Sequence, residues 1–262
     1  MQVFFLIMQN NITNPKFLGI NIDHIATIRN ARGGTFPEIF RSFEVIQQCK
    51  TKCHSIEFIT IHLREDRRHI KDEDVSMLCA QDSIKVNLEM ACTEEMMQIA
   101  IKNKPYSVCI VPEKREEMTT ESGLDIVNHK TKIANCIAIL QKHNIKVSLF
   151  LEPEPLHIKI AHEINANTIE IHTGKYANLT GSTQNIELDK IKQSAQEIHK
   201  LKMECHAGHG LNYKNIVNLS QIDEITLFNI GHFLIGEAIF VGLENAITKM
   251  HNIINKANIS QI

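Results

Sequence analysis

The sequence lacks an excess of charge of either sign. Its 28 Lys and Arg residues oppose 30 Asp and Glu residues, for a net charge of −2. This balance argues against non-specific binding to nucleic acids or anionic membranes, which requires a strongly basic surface. The chain also has no apolar run near the roughly 20 residues that a membrane-spanning helix requires. We therefore expect neither a nucleic-acid partner nor a membrane partner.

Signals for export and for disulfides are missing as well. The N-terminal run VFFLIM (3–8) follows no Lys or Arg. It is also shorter than the apolar core of a secretory signal, which has about 7–15 residues. The seven cysteines are odd in number, form no CxxC pair and often lie in apolar runs, as Cys109, Cys136 and Cys205 do. This pattern is typical of reduced thiols in a cytoplasmic protein.

What the sequence does contain is an alternation of strand-like and helix-like segments. Eight β-branched, apolar runs each stop on a polar or glycine residue, and the stretch between successive runs is long enough for a helix. The runs are FLGINID (17–23), IEFITIHL (56–63), KVNLEM (85–90), SVCIVP (107–112), KVSLFLE (146–152), TIEIHT (168–173), KMECHAG (202–208) and EITLFNIG (224–231). Parallel strands need crossover connections of about a dozen residues, so the alternation predicts an α/β protein with a parallel sheet.

The number of these units indicates which parallel architecture to expect. Eight βα units in a chain of this length are typical of a (β/α)₈ TIM barrel. No linker or low-complexity tract interrupts the alternation. We therefore predict a single barrel domain over residues 17–262, preceded by a flexible extension over residues 1–16.

Ionisable residues stand where the predicted strands end. In a TIM barrel, the carboxyl ends of the strands form the active-site face. His62, Glu89 and His209 end the second, third and seventh runs and are expected to point toward the barrel axis. Imidazole titrates near neutral pH, and burial raises the pKa of a carboxyl toward the same range. A structural role for each histidine is the alternative, but three such groups in one cavity predict general acid–base catalysis.

Glycine and arginine residues near the same face predict anion binding. Glycine turns follow the seventh run at 208–210 and the eighth at 229–232. Loops there commonly bind phosphate in this fold, although simple tight turns are the alternative. Arg32 before two glycines, Arg64 and the pair at 67–68 are further candidates, because arginine binds phosphate through a planar fork. Two basic sites would suit two phosphorylated substrates or one bisphosphate, whereas the run REDRRH could also be solvated surface.

Two connections are too long for simple turns. They span residues 113–125 and 174–184, and both follow strands on the predicted catalytic face. Long loops at that face tend to be lids or substrate clamps, with a solvated insertion as the alternative.

Other chemistries fit the sequence less well. His206 and His209 are a poor match to a metal-binding histidine pair on a helix, so we expect no metal. Lys175 is the one plausible Schiff-base lysine, and it would indicate a barrel aldolase or isomerase acting on a single sugar phosphate. A phosphate sensor or scaffolding barrel would be expected to lack at least one proton-transfer group, yet all three are present.

Seven stretches resemble the pyridoxine 5′-phosphate synthase family across about residues 18–252. They are LGINIDHIATIRNARGG (18–34), TIHLREDRRHI (60–70), VNLEMACTEEM (86–96), VPEKREEMTTESGLD (111–125), EIHTGKYA (170–177), AGHGLNY (207–213) and FNIGHFLIGEAIF (228–240). The resemblance implies condensation of 1-deoxy-D-xylulose 5-phosphate with 3-amino-2-oxopropyl phosphate. Pyridoxine 5′-phosphate, inorganic phosphate and water would form without a metal or organic cofactor. It also implies extra short helices and a homo-octamer built as a tetramer of dimers.

The same resemblance assigns roles to individual residues. It implies that His62 and Glu89 are proton acceptors and that His209 is the proton donor. The residues implied to hold the deoxyxylulose phosphate are Asp23, His24, Arg64, His69 and Thr119. The residues implied to hold the amino-ketone phosphate are Asn21, Arg32, Gly210, Gly231 and His232.

Overall fold

Eight parallel strands close into a barrel in a computed structural model, which describes residues 16–113 and 122–256. The strands are β1 (Phe17–Asn21), β2 (Ile56–His62), β3 (Lys85–Met90), β4 (Ser107–Ile110), β5 (Lys146–Leu151), β6 (Thr168–His172), β7 (Glu204–Gly208) and β8 (Ile225–Ile230). Every strand lies inside one of the eight apolar runs, and each pairs with its neighbours in sequence order until β8 meets β1. The predicted TIM barrel is therefore confirmed.

Helices connect the strands and cover the outside of the barrel. Those found in the described residues are α1 (Asp23–Ala31), α2 (Ile39–Lys52), α3 (Asp72–Cys79), α4 (Glu94–Asn103), α5 (Lys130–Lys142), α6 (Pro155–Glu163), α7 (Gly174–Asn178), α8 (Gly181–Lys200), α9 (Ile216–Leu219), α10 (His232–Val241) and α11 (Leu243–Lys256). α8, for example, buries Ile191, Ala195 and Ile198, which recur at helical spacing. Within those residues, no helix is long and apolar enough to cross a membrane.

The interior of the barrel is polar in its middle layer. Thr60 on β2 donates a hydrogen bond from Oγ1 to Oδ1 of Asn229 on β8, at 3.0 Å. Nδ2 of Asn229 in turn donates to Oε2 of Glu170 on β6, at 2.6 Å. The paired residues come from strands that are not neighbours in the sheet, so these hydrogen bonds run through the interior of the barrel. The apolar core therefore lies between the outer face of the sheet and the helices.

The prediction of a long loop is wrong for one of the two segments. The segment 174–184 forms α7 and the beginning of α8. Tyr176 explains this order, because its ring is buried and its hydroxyl donates to the carbonyl of Asn215 at 2.8 Å. Gln184 adds a bond from Nε2 to the carbonyl of Tyr176 at 3.1 Å. Of the other predicted loop, residues 114–121 lie outside the described residues.

Lys16 closes the amino end of the barrel rather than belonging to a flexible extension. Its side chain is buried, and Nζ donates to the carbonyls of Ile222, Asp223 and Ile225 at 2.7, 2.9 and 2.7 Å. An ammonium group carries three donors, so this arrangement satisfies it fully. The rest of the predicted extension, residues 1–15, lies outside the described residues.

Replacing Lys16 by methionine should therefore lower the free energy of unfolding by about 3 kcal/mol, because buried carbonyls lose a charged donor. Urea denaturation monitored by circular dichroism measures the change. Lys52→Met is the matched control, since Lys52 forms only an exposed ion pair with Glu244 and should shift stability by less than about 1 kcal/mol. Equal effects of the two substitutions would contradict the role given to Lys16.

Candidate active site

A cavity of about 670 Å³ opens at the carboxyl ends of the strands. Eleven of the thirteen residues that the sequence indicated for the site line it. They are Asn21, Asp23, His24, His62, Arg64, His69, Glu89, His209, Gly210, Gly231 and His232. The three proton-transfer candidates thus share one cavity with the candidate anion ligands.

The remaining two predicted residues are not placed in this cavity. Arg32 follows α1 directly, is exposed and is not among the residues lining the cavity. Thr119 lies outside the described residues. The binding roles assigned to Arg32 and Thr119 therefore stay predictions.

His62 lies between two carboxylates at the end of β2. Its Nε2 is 2.9 Å from Oε1 of Glu113, and its Nδ1 is 3.9 Å from Oε2 of Glu89. Burial alone would raise the pKa of Glu113, but the hydrogen bonds from His62 and from the backbone N–H of Glu65 lower it below the usual range. An ionised Glu113 accepts a hydrogen bond from Nε2–H, so in the neutral imidazole the lone pair of Nδ1 lies on the side of Glu89. His62 is thereby oriented to accept a proton on the Glu89 side.

Strand register places Glu89 next to His62. These two residues are direct partners in the pairing of β2 with β3. Burial raises the pKa of Glu89 well above its usual range, and the nearby carboxyls of Glu170 and Asp23 raise it further. A carboxylate whose pKa is raised is a stronger base and is closer to the neutral range in which general bases work best.

Glu170 is a functional candidate that the sequence analysis missed. It lines the cavity, and burial raises its pKa to about 7, opposed by the hydrogen bond from Asn229. The predicted site residues stand at strand ends, whereas Glu170 lies in the middle of β6. A carboxyl inside an apolar run was the available signal, since an unpaired charge is not stable in a core. The contact of Glu113 with His62 likewise depends on the fold.

Asp23 links β1 to β2. Its Oδ1 accepts the backbone N–H of His62 at 2.8 Å, and its Oδ2 accepts Nδ2 of Asn21 at 3.0 Å. Burial raises the pKa of Asp23, although His62 and Asn21 oppose the effect. One atom from each of Asp23, His62 and Glu89 lies within 4.8 Å of the others, a spacing at which a divalent cation could be held. Such binding would compete with the two hydrogen bonds of Asp23.

His209 follows β7 on a backbone with φ of +84°. Burial, together with a smaller effect of the neighbouring His172, lowers its pKa to about 4, and Glu152 partly opposes this shift. The imidazole is therefore neutral at neutral pH in the empty cavity. An anion beside it would raise this pKa, so a proton-donating role for His209 requires a negatively charged substrate.

Three histidines form a cluster at the rim of the cavity. Nδ1 of His24 is 2.8 Å from Nδ1 of His232, and the rings of His24 and His69 are 5.8 Å apart. Burial lowers the pKa of His69 to about 4, and the proximity of His24 adds to this effect. Arg64 lines the same cavity, and α10 begins at His232. Backbone N–H groups at a helix start and imidazoles that gain protons beside negative charge are suited to bind a phosphate.

Two glycines allow the backbone to approach closely here. Gly210 has φ of +74°, and a Cβ on it would lie 2.7 Å from Cβ of Ala177. A Cβ on Gly231 would lie 2.9 Å from the side chain of Asn21. Larger residues at either position would displace the turns that border the cavity.

The Schiff-base alternative is not supported by the position of Lys175. Its Nζ forms an ion pair with Oε2 of Glu187 at 2.9 Å, and its side chain is largely exposed. The contact with Glu187 raises the pKa of Lys175, whereas a nucleophilic lysine needs a lowered one. Lys175 is also not among the residues that line the cavity.

A closed parallel barrel with imidazoles and buried carboxyls at the carboxyl ends of its strands is a TIM-barrel enzyme of the acid–base type. The family model described as "Pyridoxal phosphate biosynthesis protein PdxJ" matches residues 18–256. The chain belongs to this family.

Curated relatives agree with the family match. The chain is 49% identical to the pyridoxine 5′-phosphate synthase of Pelagibacter ubique, over 92% of this chain and 100% of the relative. It is 48% identical to the enzyme of the same name from Zymomonas mobilis, over 92% of each chain.

Two solved structures are similar to this chain in fold alone. A tryptophan synthase from M. tuberculosis superposes with a TM-score of 0.60 at 7% identity, covering 93% of this chain and 94% of that one. The tryptophan synthase alpha-subunit from Pyrococcus furiosus gives 0.57 at 10% identity, covering 93% and 98%. Identity this low carries no information about the reaction.

The raised pKa of Glu170 predicts a pH-dependent stability. Between its usual pKa of 4.5 and about 7, the folded protein holds a proton that the unfolded chain releases. The free energy of unfolding should therefore fall as the pH rises through this window, by at most about 1.4 kcal/mol per pH unit. Glu170→Gln should flatten this slope in urea denaturation measured across the window. Glu197→Gln, at an exposed carboxyl, should keep the wild-type slope, and an unchanged slope in both variants would refute the assignment.

Proposed function

We propose that this chain synthesises pyridoxine 5′-phosphate from 1-deoxy-D-xylulose 5-phosphate and 3-amino-2-oxopropyl phosphate. The observation that carries the proposal is the shared cavity of His62, Glu89 and His209, bordered by candidate anion ligands, in a chain of the PdxJ family. No specific observation favours an aldolase or isomerase acting on one sugar phosphate.

The proposed reaction needs repeated proton transfers. The amine of one substrate condenses with the ketone of the other to an imine, and water leaves. Loss of phosphate and a further water through enol intermediates, with an aldol-type closure, then gives the pyridine ring. Glu89 removes protons from carbon, and Nδ1 of His62 accepts protons on the same side of the cavity. The two groups are neighbours, so a proton taken by one can pass to the other before the next step.

Protonation of leaving oxygens is assigned to His209. Its lowered pKa fits this role because the substrates bring phosphate groups into the cavity. Phosphate near the imidazole favours the protonated form, so the acid is generated when substrate is bound. The rim cluster of His24, His69 and His232, together with Arg64, holds the phosphates and positions the two carbonyl compounds for attack. Such positioning offsets the entropy of bringing two reactants together.

The proposal includes a cellular location and a number of subunits for the protein. All seven cysteines are unpaired, in keeping with a reducing, cytoplasmic location. A homo-octamer, a tetramer of dimers, is proposed from the family resemblance alone. Light scattering of the purified protein measures the subunit number directly.

The activity is tested by incubating the purified protein with both phosphorylated substrates and detecting pyridoxine 5′-phosphate by its fluorescence. Inorganic phosphate should be released in the same reaction. Omitting either substrate should abolish the product. Turnover of the sugar phosphate alone would support the single-substrate alternative instead.

Glu89→Gln should reduce kcat by about 100-fold or more, because the amide keeps the shape of the carboxyl but cannot accept the proton. The fold should be unchanged, since the substitution removes a strongly desolvated carboxyl. Steady-state kinetics and circular dichroism measure the two effects. Glu94→Gln, in the exposed first turn of α4, is the control and should retain wild-type kcat. Near-normal turnover by Glu89→Gln would show that another group is the base.

A further inference from the structure

A second pair of ionisable residues lies behind His209 and has no role in the mechanism above. His172 ends β6 and is buried, with Nδ1 2.8 Å from Oε1 of Glu152, the residue that follows β5. Within the described residues, its other nitrogen, Nε2, is buried and has no hydrogen-bond partner. A buried polar atom without a partner is costly, so a site that keeps one needs a reason.

Glu152 determines which nitrogen of His172 carries the proton. Its Oε1 also accepts the backbone N–H of Gly123 at 2.9 Å. Burial alone would raise the pKa of Glu152, but the hydrogen bond from His172 and the bond from Gly123 lower it below the usual range. An ionised carboxylate only accepts, so Nδ1 of His172 is the donor, and in the neutral imidazole Nε2 carries the lone pair.

The unpartnered Nε2 lies beside His209. The two imidazole rings have centroids 5.0 Å apart and planes inclined by 57°. A Cβ placed on Gly174 would be 2.6 Å from Nε2 of His172 and 2.8 Å from Cδ2 of His209, so both rings border the same point. Phe150 packs against His172 at 4.9 Å and against His209 at 6.4 Å between centroids. His172 and Phe150 together form the wall against which the His209 ring rests.

The backbone of His209 is held from the same strand end. Oγ1 of Thr173 lies 2.8 and 2.6 Å from the carbonyl oxygens of Gly208 and His209, which share its single hydroxyl proton. Its N–H donates to the carbonyl of Gly208 at 2.9 Å. Residues 172 and 173 therefore fix both the ring and the left-handed backbone of His209.

We propose that Glu152 and His172 are positioning residues for His209: the Glu152 carboxylate holds His172, and the His172 ring holds the imidazole of His209 in place. The proposal deepens the proposed function, because it assumes that His209 donates protons during the reaction. Two groups act on the charge of His209: His172 from β6, whose protonated form disfavours protonation of His209 and has the larger effect, and Glu152 after β5, which favours it. Lys175 on α7 is engaged by Glu187.

Two variants separate this role from mere packing. Glu152→Gln keeps the shape and the acceptor oxygen but removes the charge. His172→Asn keeps a donor toward Glu152 but removes the ring face beside His209. Glu163→Gln is the control, because its carboxylate forms only a partly exposed pair with Lys130.

The first measurement needs no substrate. Imidazole NMR titration of the free protein reports the protonated fraction of His209. Glu152→Gln should lower that fraction at about pH 5 by about threefold, equivalent to half a pH unit, while the control leaves it unchanged. An unchanged titration in a folded Glu152→Gln variant would overturn the proposal. Glutamine nearly matches the shape of Glu152, so the titration of Glu152→Gln tests the proposal even if His172→Asn fails to fold.

The second measurement follows kcat against pH with both substrates. The basic limb should move to lower pH in Glu152→Gln, and kcat should fall about tenfold in His172→Asn with KM changed less than about twofold. A proportional loss at every pH would indicate a structural role and would overturn the proposal. If the wild-type protein forms no product, the proposed function fails. The NMR titration still tests whether Glu152 and His172 act on His209.

Discussion

Hydrogen bonding between parallel strands in a fixed register is the constraint on which the site depends. The pairing of β2 with β3 sets His62 beside Glu89, and the pairing of β6 with β7 sets His172 beside Gly208. Closure of β8 onto β1 then joins the two halves of the rim into one cavity. A slip of one residue in either pairing would turn these side chains to the opposite face of the sheet.

The polar interior of the barrel has opposite consequences for stability and for chemistry. Glu89 and Glu170 lose hydration in the barrel, and both have raised pKa values because their charged forms are disfavoured there. The same desolvation makes the carboxylates stronger bases near neutral pH. Asn229 stabilises the arrangement, since its amide bonds Glu170 on one side and Thr60 on the other. Ionisable groups with pKa values perturbed in this way are typical of functional sites.

The candidate proton-transfer groups and the candidate anion ligands line one cavity, so the two proposed roles would be coupled. Burial keeps His69 and His209 neutral when the cavity is empty. A bound phosphate favours their protonated forms, and protonation in turn favours the phosphate, because such couplings are reciprocal. The Glu152–His172 pair would bias this equilibrium from behind His209 without contacting a substrate.

The eight strands, the polar residues at their ends and the glycine turns at Gly210 and Gly231 could be predicted from the sequence, because side-chain alternation and turn chemistry are local properties. It also carried the family motifs. Four features became evident only in the folded chain: 174–184 is largely helical, Lys16 is buried, Glu170 lines the cavity and Arg32 does not. These outcomes depend on which side chains from distant strands share the barrel interior. Contacts between residues far apart in the chain produce no periodic pattern of residue types in the sequence.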